Sequence, residues 1–232
     1  MLDLHCHPLV AVDDGPPTPD AALRLLTVQR DQGVRELVAT PHRLSPRFLG
    51  VDDARIATAW PILQQQAADL GLTVHLGGEN HLSGQIPPDV FAERAVPLGP
   101  SRAVLVELPD DHLPLRTWEA CFALQRRGLR PVIAHPERCK GLDLGHGPLV
   151  DFLASGGLLQ LTAGHLAGVH GWRMRWRSRR LLGRYPTSCV IASDGHDDRA
   201  RRPAFDRLPT AYRAWCCPSL AALATWAGPR SV

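Results

Sequence analysis

The sequence predicts a mixed α/β fold, a distorted (β/α)7 barrel of the TIM type. Short apolar runs rich in β-branched residues alternate with longer stretches of helical period along the 232 residues. Side chains able to bind metal stand at the ends of most of these apolar runs. Because 44% of the residues are hydrophobic, the chain can bury a full-sized core. We expect one domain over residues 1–232, with the tail 203–232 packed on the barrel.

Seven runs are predicted to be strands because each is short, apolar and bounded by turn residues. They are Met1–Leu4, Arg35–Thr40, Thr73–Gly77, Ala103–Leu108, Arg130–Ala134, Leu158–Thr162 and Cys189–Ser193. Strands that alternate with helices form right-handed βαβ units, and these produce a parallel sheet. Seven strands suit a distorted barrel or a doubly wound sheet, and we favour the barrel.

Six stretches have helical period, and the first three end before a glycine, the usual residue after a helix C-terminus. They are Thr18–Gln32, Asp52–Leu70, Arg116–Arg127, Gly147–Ala154, Arg173–Leu182 and Leu220–Trp226. Thr18 is a candidate N-cap. We interpret the arginine-rich stretch Arg173–Leu182 as a solvated helix face with two tryptophans, rather than as a phosphate-attracting surface.

The charge, the first residues and the cysteine content indicate which binding partners and which cellular compartment suit the chain. The formal charge is +3, from 26 basic and 23 acidic residues, which is too small an excess to predict binding to nucleic acid. The first residues lack both a basic segment and a long apolar run, so we predict no signal peptide and no membrane insertion. Six cysteines without a C-x-x-C pair favour a reducing cytoplasm.

Five histidines and four acidic residues follow the predicted strands or stand in the loop after the first one. They are His5, His7, Asp14, His42, Glu79, Glu107, His135, Asp194 and His196. The carboxyl ends of parallel barrel strands meet at one mouth, so these side chains are expected to cluster. Burying them without partners costs several kcal/mol each, and bound metal ions remove that cost. Imidazole and carboxylate ligands without thiolate suit Mn, Fe or Zn.

Six motifs in this order extend over residues 1 to about 203. They are Asp3–His7 with Val12–Gly15, Ala39–His42, Gly77–Glu79, Val106–Glu107, Ala134–Arg138 and Ala192–His196. This ordered set resembles the PHP (polymerase and histidinol phosphatase) superfamily. It is most similar to the bacterial protein-tyrosine phosphatases of capsule and exopolysaccharide loci. The resemblance implies a barrel of the PHP type.

The resemblance also implies two to three divalent transition metal ions, with manganese favoured and iron or zinc possible. The implied ligands are His5, His7, Glu79 and Asp194 for one ion, Glu79 or Glu107 with His135 for a second, and Asp14, His42 and His196 for a third. Which glutamate bridges two ions is left open by the motifs.

Four residues carry the implied catalytic roles. Arg138 is expected to clamp a phosphate oxygen, because a planar guanidinium suits two-point recognition of phosphate. The resemblance implies a second arginine after the last motif, which Arg201 or Arg202 could supply. Asp14 is expected to supply a proton or only to hold metal. The implied reaction is hydrolysis of phosphotyrosine on proteins by attack of a metal-bound hydroxide. The implied partner is a tyrosine kinase of polysaccharide assembly.

Other interpretations remain open. A small-molecule phosphatase, such as one acting on histidinol phosphate, and a nuclease both occur in the superfamily, and a PHP-type binding module without activity is a third possibility. The stretch Cys121–Arg127 matches the Cys-x5-Arg spacing of cysteine-dependent phosphatases. We reject that mechanism because the stretch lies in a glycine-free helical run, whose amides cannot cradle phosphate.

The remaining histidines receive no ligand role. The resemblance assigns none to His81 or His165. We expect the other four at the surface or in structural hydrogen bonds. They are His75, His112, His146 and His170.

Overall fold

The computed structural model describes residues 1–145 and 147–228. The strands are β1 (Leu2–Cys6), β2 (Glu36–Ala39), β3 (His42–Arg43), β4 (Thr73–Leu76), β5 (Glu79–His81), β6 (Ala103–Glu107), β7 (Arg130–Ala134), β8 (Leu158–Thr162) and β9 (Cys189–Ala192). The helices are α1 (Pro19–Asp31), α2 (Asp53–Asp69), α3 (Pro88–Arg94), α4 (Thr117–Arg126), α5 (Pro148–Ala154), α6 (Ala163–Ala167), α7 (Trp172–Arg184) and α8 (Leu220–Leu223). Short 3₁₀ helices cover Pro186–Ser188, Phe205–Arg207 and Thr210–Trp215.

All strand pairs between these elements are parallel. One sheet has the order β1-β2-β4, and the other has the order β3-β5-β6-β7-β8-β9. Only two residues separate β2 from β3, and only Gly77 and Gly78 separate β4 from β5. The chain therefore makes seven passes, and two of them, β2 with β3 and β4 with β5, run from the first sheet into the second. Each predicted strand lies on one of these seven passes. The predicted α/β fold with parallel strands is confirmed.

The first and last strands meet mainly at their carboxyl ends. The amide of Asp194 donates to the carbonyl of His5 at 2.9 Å, and the amide of His7 donates to Gly195 at 2.9 Å. At the amino end, the amide of Leu2 donates instead to the carbonyl of Cys217, also at 2.9 Å. A segment of the carboxyl-terminal tail thus lies between the two strands at this end, which distorts the barrel.

The long predicted helices are present with their expected ends. Thr18 caps α1 by accepting from the amide of Ala21, and Asp52 caps α2 in the same way. Gly33 and Gly71, which follow these two helices, have φ values of +94° and +68°. Side-chain caps at the start and left-handed glycines at the end satisfy backbone groups that a helix leaves unpaired.

Three local predictions differ from the structure. Helices α3 and α6 were not predicted, because segments of seven and five residues are too short to show a clear helical period. The predicted helix Leu220–Trp226 ends at Leu223. Its last turn is replaced by contacts that hold the tail against the barrel. The amino-end residue Arg130 donates to the carbonyls of Leu223 and Trp226 at 3.0 and 2.6 Å.

Apolar side chains form two layers on either side of the strands. The outer layer lies between the strands and the surrounding helices. The inner layer fills the barrel and includes side chains of the tail at its amino end. Its buried members are Leu2, Leu4, Val38, Leu98, Ala103, Leu105, Val132, Ala134, Leu158, Val190, Ala192, Cys217, Leu220, Leu223 and Trp226. Helix α8 therefore plugs the amino end of the barrel with apolar side chains.

Among the residues described, no helix has the length and apolar character that crossing a membrane requires.

Candidate metal centre

The inward-facing rows of the strands change from apolar to polar at the carboxyl end. On β6, Ala103 and Leu105 belong to the inner core, and Glu107 is the next residue of the same row. On β8, Leu158 belongs to the inner core and Gln160 follows it. The alternation that builds the core therefore also aims polar side chains at the opposite end of the barrel.

Glu79 lies at the centre of this polar end. Its Oε1 is 3.4 Å from His5 Nε2 and 2.8 Å from His135 Nε2. Its Oε2 is 3.3 Å from His7 Nε2 and 3.1 Å from His42 Nδ1. Four imidazoles from three different strand ends and one loop thus surround a single carboxylate that is almost fully buried.

The charges of these groups depend on each other. Burial raises the pKa of Glu79, but His5, His135 and His7 outweigh burial and hold it well below its usual range. Burial lowers the pKa of His5, but the charges of Glu79 and Asp194 outweigh it and raise the value. These carboxylates therefore favour a cation at His5, and a divalent ion would compete with the proton for that position.

A first group of ligand atoms forms around the end of β1. The Nε2 atoms of His5 and His7 lie 3.3 Å apart, and both face Glu79. Asp194 Oδ1 lies 3.4 Å from His5 Nε2 and 3.9 Å from His7 Nε2. The structure thus brings together the four residues that the resemblance implied for one ion.

A second group forms around Asp14. Its Oδ1 lies 3.4 Å from His42 Nε2 and 3.2 Å from His196 Nε2. His7 joins these three residues, because all four offer ligand atoms within 4.8 Å of one another. His7 therefore lies between the first two groups, a position that its sequence motif did not indicate.

The third group differs from the implied set. Glu107 faces His42, with Oε2 3.7 Å from Nδ1, and these two residues form a possible metal-binding group with Glu79. His135 contacts Glu79 directly at 2.8 Å. His42 thus presents Nδ1 to Glu79 and Glu107 and Nε2 to Asp14, so it borders both the second and the third groups.

These ligands are oriented by residues that the sequence analysis did not identify. Gln160 Oε1 lies 2.9 Å from His5 Nδ1, and Asp13 Oδ2 lies 2.8 Å from His7 Nδ1. With Nδ1–H donating to these oxygens, Nε2 of each histidine keeps its lone pair for a metal. Asp13 could have been identified from the sequence, because it is adjacent to the candidate ligand Asp14. No feature of the sequence marks Gln160.

Two further orienting contacts involve His81, which was given no ligand role, and the backbone carbonyl of Asp194. His81 Nδ1 lies 2.8 Å from Glu107 Oε2 and holds that carboxylate. His196 Nδ1 lies 2.9 Å from the carbonyl of Asp194, which turns its Nε2 into the cluster. His81 is therefore a partner of a candidate ligand.

The donor atoms fit metal binding. Within residues 1–145 and 147–228, His42 Nδ1 and His196 Nε2 are buried near the carboxylates of Glu79 and Asp14 but are not aligned to form hydrogen bonds with them. Such orphan groups are costly unless an ion or water satisfies them. Mixed imidazole and carboxylate donors suit Mn, Fe or Zn. Orphan nitrogens facing carboxylates therefore support divalent ions at this site.

Two candidate ligands have strained backbones. His135 has a φ of +29° and Asp194 a φ of +54°, and each lies just beyond the end of its strand. Positive φ values are uncommon for residues other than glycine and cost of the order of 1–3 kcal/mol. The fold accepts this strain at two strand ends that face the cluster.

A cavity of about 490 Å³ opens onto the cluster. Its lining includes five cationic side chains, namely Arg47, Arg138, Lys140, Arg201 and Arg202. Metal-ligand candidates form its floor. The lining also includes five carboxylates, Asp14, Glu79, Glu107, Asp110 and Asp194, so the cavity suits an anionic substrate once divalent ions offset them.

Arg138 and the two alternatives for the second phosphate-binding arginine, Arg201 and Arg202, have different partners. Arg138 donates from Nε and Nη2 to Asp110 at 2.9 and 3.0 Å, and its Nη1 lies 3.7 Å from Asp194 Oδ2. Arg201 Nη1 donates to Asp14 Oδ2 at 2.6 Å. Arg202 donates instead to Asp206 at 3.0 Å. Arg138 and Arg201 therefore contact candidate metal ligands, whereas Arg202 pairs with an acid outside the ligand set.

Phe48 provides an aromatic wall. Its ring stacks on His42 with centroids 4.1 Å apart and an interplanar angle of 7°. Among the described lining residues, it is the one side chain with a phenyl, phenol or indole ring. The sequence interpretation did not single it out, because the residues before α2 have no regular pattern.

The competing thiol site has a different environment. Cys121 lies fully buried in α4, and burial raises the pKa of its thiol to about 12. A thiol with that pKa is protonated near neutral pH and is a poor nucleophile. The structure supports the rejection of a cysteine mechanism.

The remaining histidines have structural or surface positions where they are described. His165 Nδ1 is 2.8 Å from the buried Glu137, and His75 Nε2 is 2.9 Å from Glu36. His112 and His170 are exposed, although His170 lines the cavity. His146 lies outside the described residues.

Comparison with known proteins places this geometry in a family. The family model for capsular polysaccharide synthesis, CpsB/CapC, matches residues 1–213. The chain is 32% identical over 197 residues to the putative tyrosine-protein phosphatase CapC of Staphylococcus aureus, covering 84% of this chain and 77% of that protein. It is 30% identical over 203 residues to tyrosine-protein phosphatase YwqE of Bacillus subtilis, with coverages of 87% and 79%.

Solved structures agree with the sequence comparison. A structure from the work on YwqE of Bacillus subtilis and CpsB of Streptococcus pneumoniae, described as unique metal-dependent tyrosine phosphatases, matches with a TM-score of 0.79. The identity is 28%, and the match covers 92% of this chain and 86% of that one. A phosphotriesterase homology protein of Escherichia coli matches with a TM-score of 0.52 at 11% identity, covering 91% and 87%, which indicates a shared fold alone.

Proposed function

The chain belongs to the CpsB/CapC family of capsular polysaccharide synthesis, and we propose that it is a metal-dependent phosphatase that hydrolyses phosphotyrosine on proteins. One observation carries the proposal. The ligand cluster around Glu79 and the guanidinium groups of Arg138 and Arg201 share the same cavity. Metal ligands next to bidentate cations are the combination that phosphoryl transfer requires.

We propose three divalent ions, with manganese as the preferred metal. Glu79 would help to hold more than one ion, because both of its oxygens face histidines of different groups. Glu107 serves one ion and is held by His81. When bound, such ions lower the pKa of water and neutralise charge on phosphoryl oxygens.

The cavity arginines bind and orient the phosphate. Arg138 is held bidentate by Asp110, so its planar group has a defined orientation, and Nη1 faces the cluster. Burial lowers the pKa of Arg138, but Asp110 and Asp194 outweigh it and raise the value, so this group stays charged. Arg201 is the second phosphate-binding arginine in this proposal, because it reaches the candidate ligand Asp14.

Asp14 acts as a metal ligand in this proposal rather than as a proton donor. Burial raises its pKa, but His196 and His42 outweigh burial and hold the value far below its usual range. A carboxyl group with that pKa has no proton to donate at neutral pH. Since a tyrosine leaving group has a free pKa of about 10, it needs less protonation than an alkyl alcohol does.

Phe48 supports an aromatic substrate. Its ring borders the cavity on the side of His42, where it can contact the phenyl ring of phosphotyrosine. Aromatic pairs contribute about 0.5–1.5 kcal/mol beyond the burial of their area. A phosphate ester of an aliphatic alcohol would not make this contact.

The physiological substrate in this proposal is a tyrosine-phosphorylated kinase of polysaccharide assembly, acted on in the cytoplasm. The names of the relatives support a phosphotyrosine substrate in the capsule pathway. All six cysteines are free and buried, which fits a reducing compartment.

A comparison of substrates with metal analysis tests the proposal. We expect the purified chain to contain or take up manganese, iron or zinc, and to hydrolyse a phosphotyrosine peptide faster than histidinol phosphate or single-stranded DNA. A clear preference for either of the other substrates would contradict the proposed specificity. A chain that binds no transition metal and stays inactive when metal is supplied would be a binding module instead.

A further inference from the structure

Helix α7 carries a positive charge that the rest of the chain does not balance. Its 13 residues include six arginines and no acidic residue. The resulting charge of +6 exceeds the +3 of the whole chain, so the other residues together carry a net charge of −3. Positive charge concentrated on one helix attracts acidic partners and raises their rate of association.

In the part of the chain that the structure describes, no carboxylate pairs with this helix. Within residues 1–145 and 147–228, none of its six arginines forms a salt bridge, whereas Arg116 and Arg126 of the α4 region pair with Glu119 and Asp89. Unpaired like charges this close repel each other, which costs stability. An arrangement that costs stability suggests a partner that is absent from the isolated chain.

Two arginines of α7 are stacked on exposed tryptophans. Trp172 is 72% exposed and Trp176 is 53% exposed. The guanidinium carbon of Arg173 lies 5.5 Å from the ring centroid of Trp172, and that of Arg180 lies 5.2 Å from Trp176. Stacking orients a guanidinium group and leaves its edge free for a carboxylate. We name these four residues the α7 face.

Helix α7 begins beside the cavity, although the four residues of the α7 face are not part of the cavity lining. Met174, on the first turn of the helix, lines the cavity itself. Arg177 donates to the carbonyls of Glu137 and Cys139 at 2.6 and 2.7 Å, and these two residues flank Arg138. The helix is therefore attached to the loop that carries the proposed phosphate-binding arginine. A polypeptide with its phosphotyrosine in the cavity would have α7 beside it.

We propose that the α7 face binds acidic residues that flank the phosphotyrosine of a polypeptide substrate, an inference that rests on the proposed function. Its occupant is an acidic peptide segment rather than a membrane. The aliphatic side chains of the helix, Leu181 and Leu182, are buried in the protein, so the apolar groups that its outward face presents are the two separate tryptophans. The outward face thus lacks the continuous apolar surface that an interfacial helix embeds in lipid.

The test compares two phosphotyrosine peptides that differ only in their flanking residues, glutamates in one and glutamines in the other. We measure kcat/KM of the manganese-loaded protein for both peptides and for p-nitrophenyl phosphate, at low and high ionic strength. We expect the acidic peptide to be preferred roughly three- to tenfold at low ionic strength. The preference should decrease with added salt because the contacts are exposed.

Two variants that remove the same charge from different helices show whether the preference for the acidic peptide depends on α7. Arg173→Gln/Arg180→Gln should abolish the preference for the acidic peptide. Arg126→Gln/Arg127→Gln removes the same charge from the end of α4 and should retain the preference. Binding of an acidic peptide that carries a non-hydrolysable phosphonate should weaken by the same factor in the α7 variant alone. This binding measurement separates docking from turnover.

Two results would overturn the inference. One is equal kcat/KM for the two peptides with the wild-type chain, and the other is a preference that persists in the α7 variant. Sedimentation with vesicles of phosphatidylcholine, alone or with equal phosphatidylserine, adds a further arm. Binding to the anionic vesicles that the α7 variant loses, without a peptide preference, would assign the face to lipid and reject the proposal.

The same measurements separate this inference from the proposed function. Hydrolysis of p-nitrophenyl phosphate and the glutamine peptide, without a gain from glutamates, rejects only the role of the α7 face. Failure to hydrolyse any of the three compounds with metal bound rejects the proposed phosphatase activity itself.

Discussion

The two ends of the barrel are built by the same strands but bury opposite kinds of side chain. At the amino end, Leu220, Leu223 and Trp226 of the tail close an apolar core. At the carboxyl end, the same inward rows present carboxylates and imidazoles around Glu79. The amino end is stabilised by burial of apolar area, which needs no partner. The carboxyl end buries titratable groups and strained residues, which are costly until ions are bound.

This difference separates stability from activity within one fold. Changes at the amino end should lower the free energy of unfolding and leave the chemistry intact. Changes at the carboxyl end should remove metal or turnover and leave folding intact. Single replacements at the two ends should therefore differ in their effect on turnover.

Replacement of a ligand at the carboxyl end should have the largest effect. His5→Ala removes a nitrogen that faces both Glu79 and Asp194. We expect loss of bound metal and a fall in kcat/KM of about three orders of magnitude, because bound ions supply several kcal/mol of transition-state stabilisation. Elemental analysis and an aryl phosphate assay measure the two effects. Full metal content in this variant would remove His5 from the ligand set.

Arg138→Ala should lower turnover without loss of metal. Removal of one preorganised donor to a developing oxyanion costs about a hundredfold in kcat or more. Arg202→Ala is the matched control, because this arginine lines the same cavity but pairs with Asp206. The expected pattern is normal metal content in both variants and a large loss of kcat only in the first. Equal losses would mean that general cavity charge, rather than the placement of Arg138, matters.

At the amino end, Leu223→Ala should destabilise the fold and preserve the chemistry. Leu223 is fully buried in the plug, and truncation of a buried leucine costs about 2–5 kcal/mol. Denaturant unfolding measures this loss, and kcat per bound metal should match the wild-type value below the unfolding transition. A fall in kcat per metal in the folded variant would show that the plug also shapes the polar end.

Cys121→Ser should have the smallest effect on turnover. The thiol is buried in α4, and its raised pKa of about 12 keeps it protonated. We expect unchanged kcat/KM and a modest loss of stability from the buried hydroxyl, about 1–3 kcal/mol. Loss of activity in a folded variant with normal metal content would contradict the metal mechanism.

Much of the scaffold was predictable because its signals are local. Short apolar runs located all seven strand passes, and Thr18, Asp52 and the glycines after the helices located their ends. The side chains that the structure gathers around Glu79 were also identified from position, because parallel strands bring their carboxyl ends together.

The partners of those side chains were not predictable in the same way. Gln160 contacts His5 across 155 residues of sequence, and Asp13 contacts His7 through a loop whose shape has no periodic signal. Arg201 and Arg202 are neighbours in sequence, yet one contacts Asp14 and the other Asp206. No pattern of residue types distinguishes such neighbours.

The sequence by itself therefore determined the order of strands and helices and the residue types that reach the mouth of the barrel, since both follow from local periodicity and turn chemistry. Only the tertiary structure decided that Glu79 lies at the centre, that His42 borders two ligand groups and that α8 closes the opposite end. Those features depend on distances and directions between residues far apart in the chain. The packing of the whole barrel determines these distances and directions.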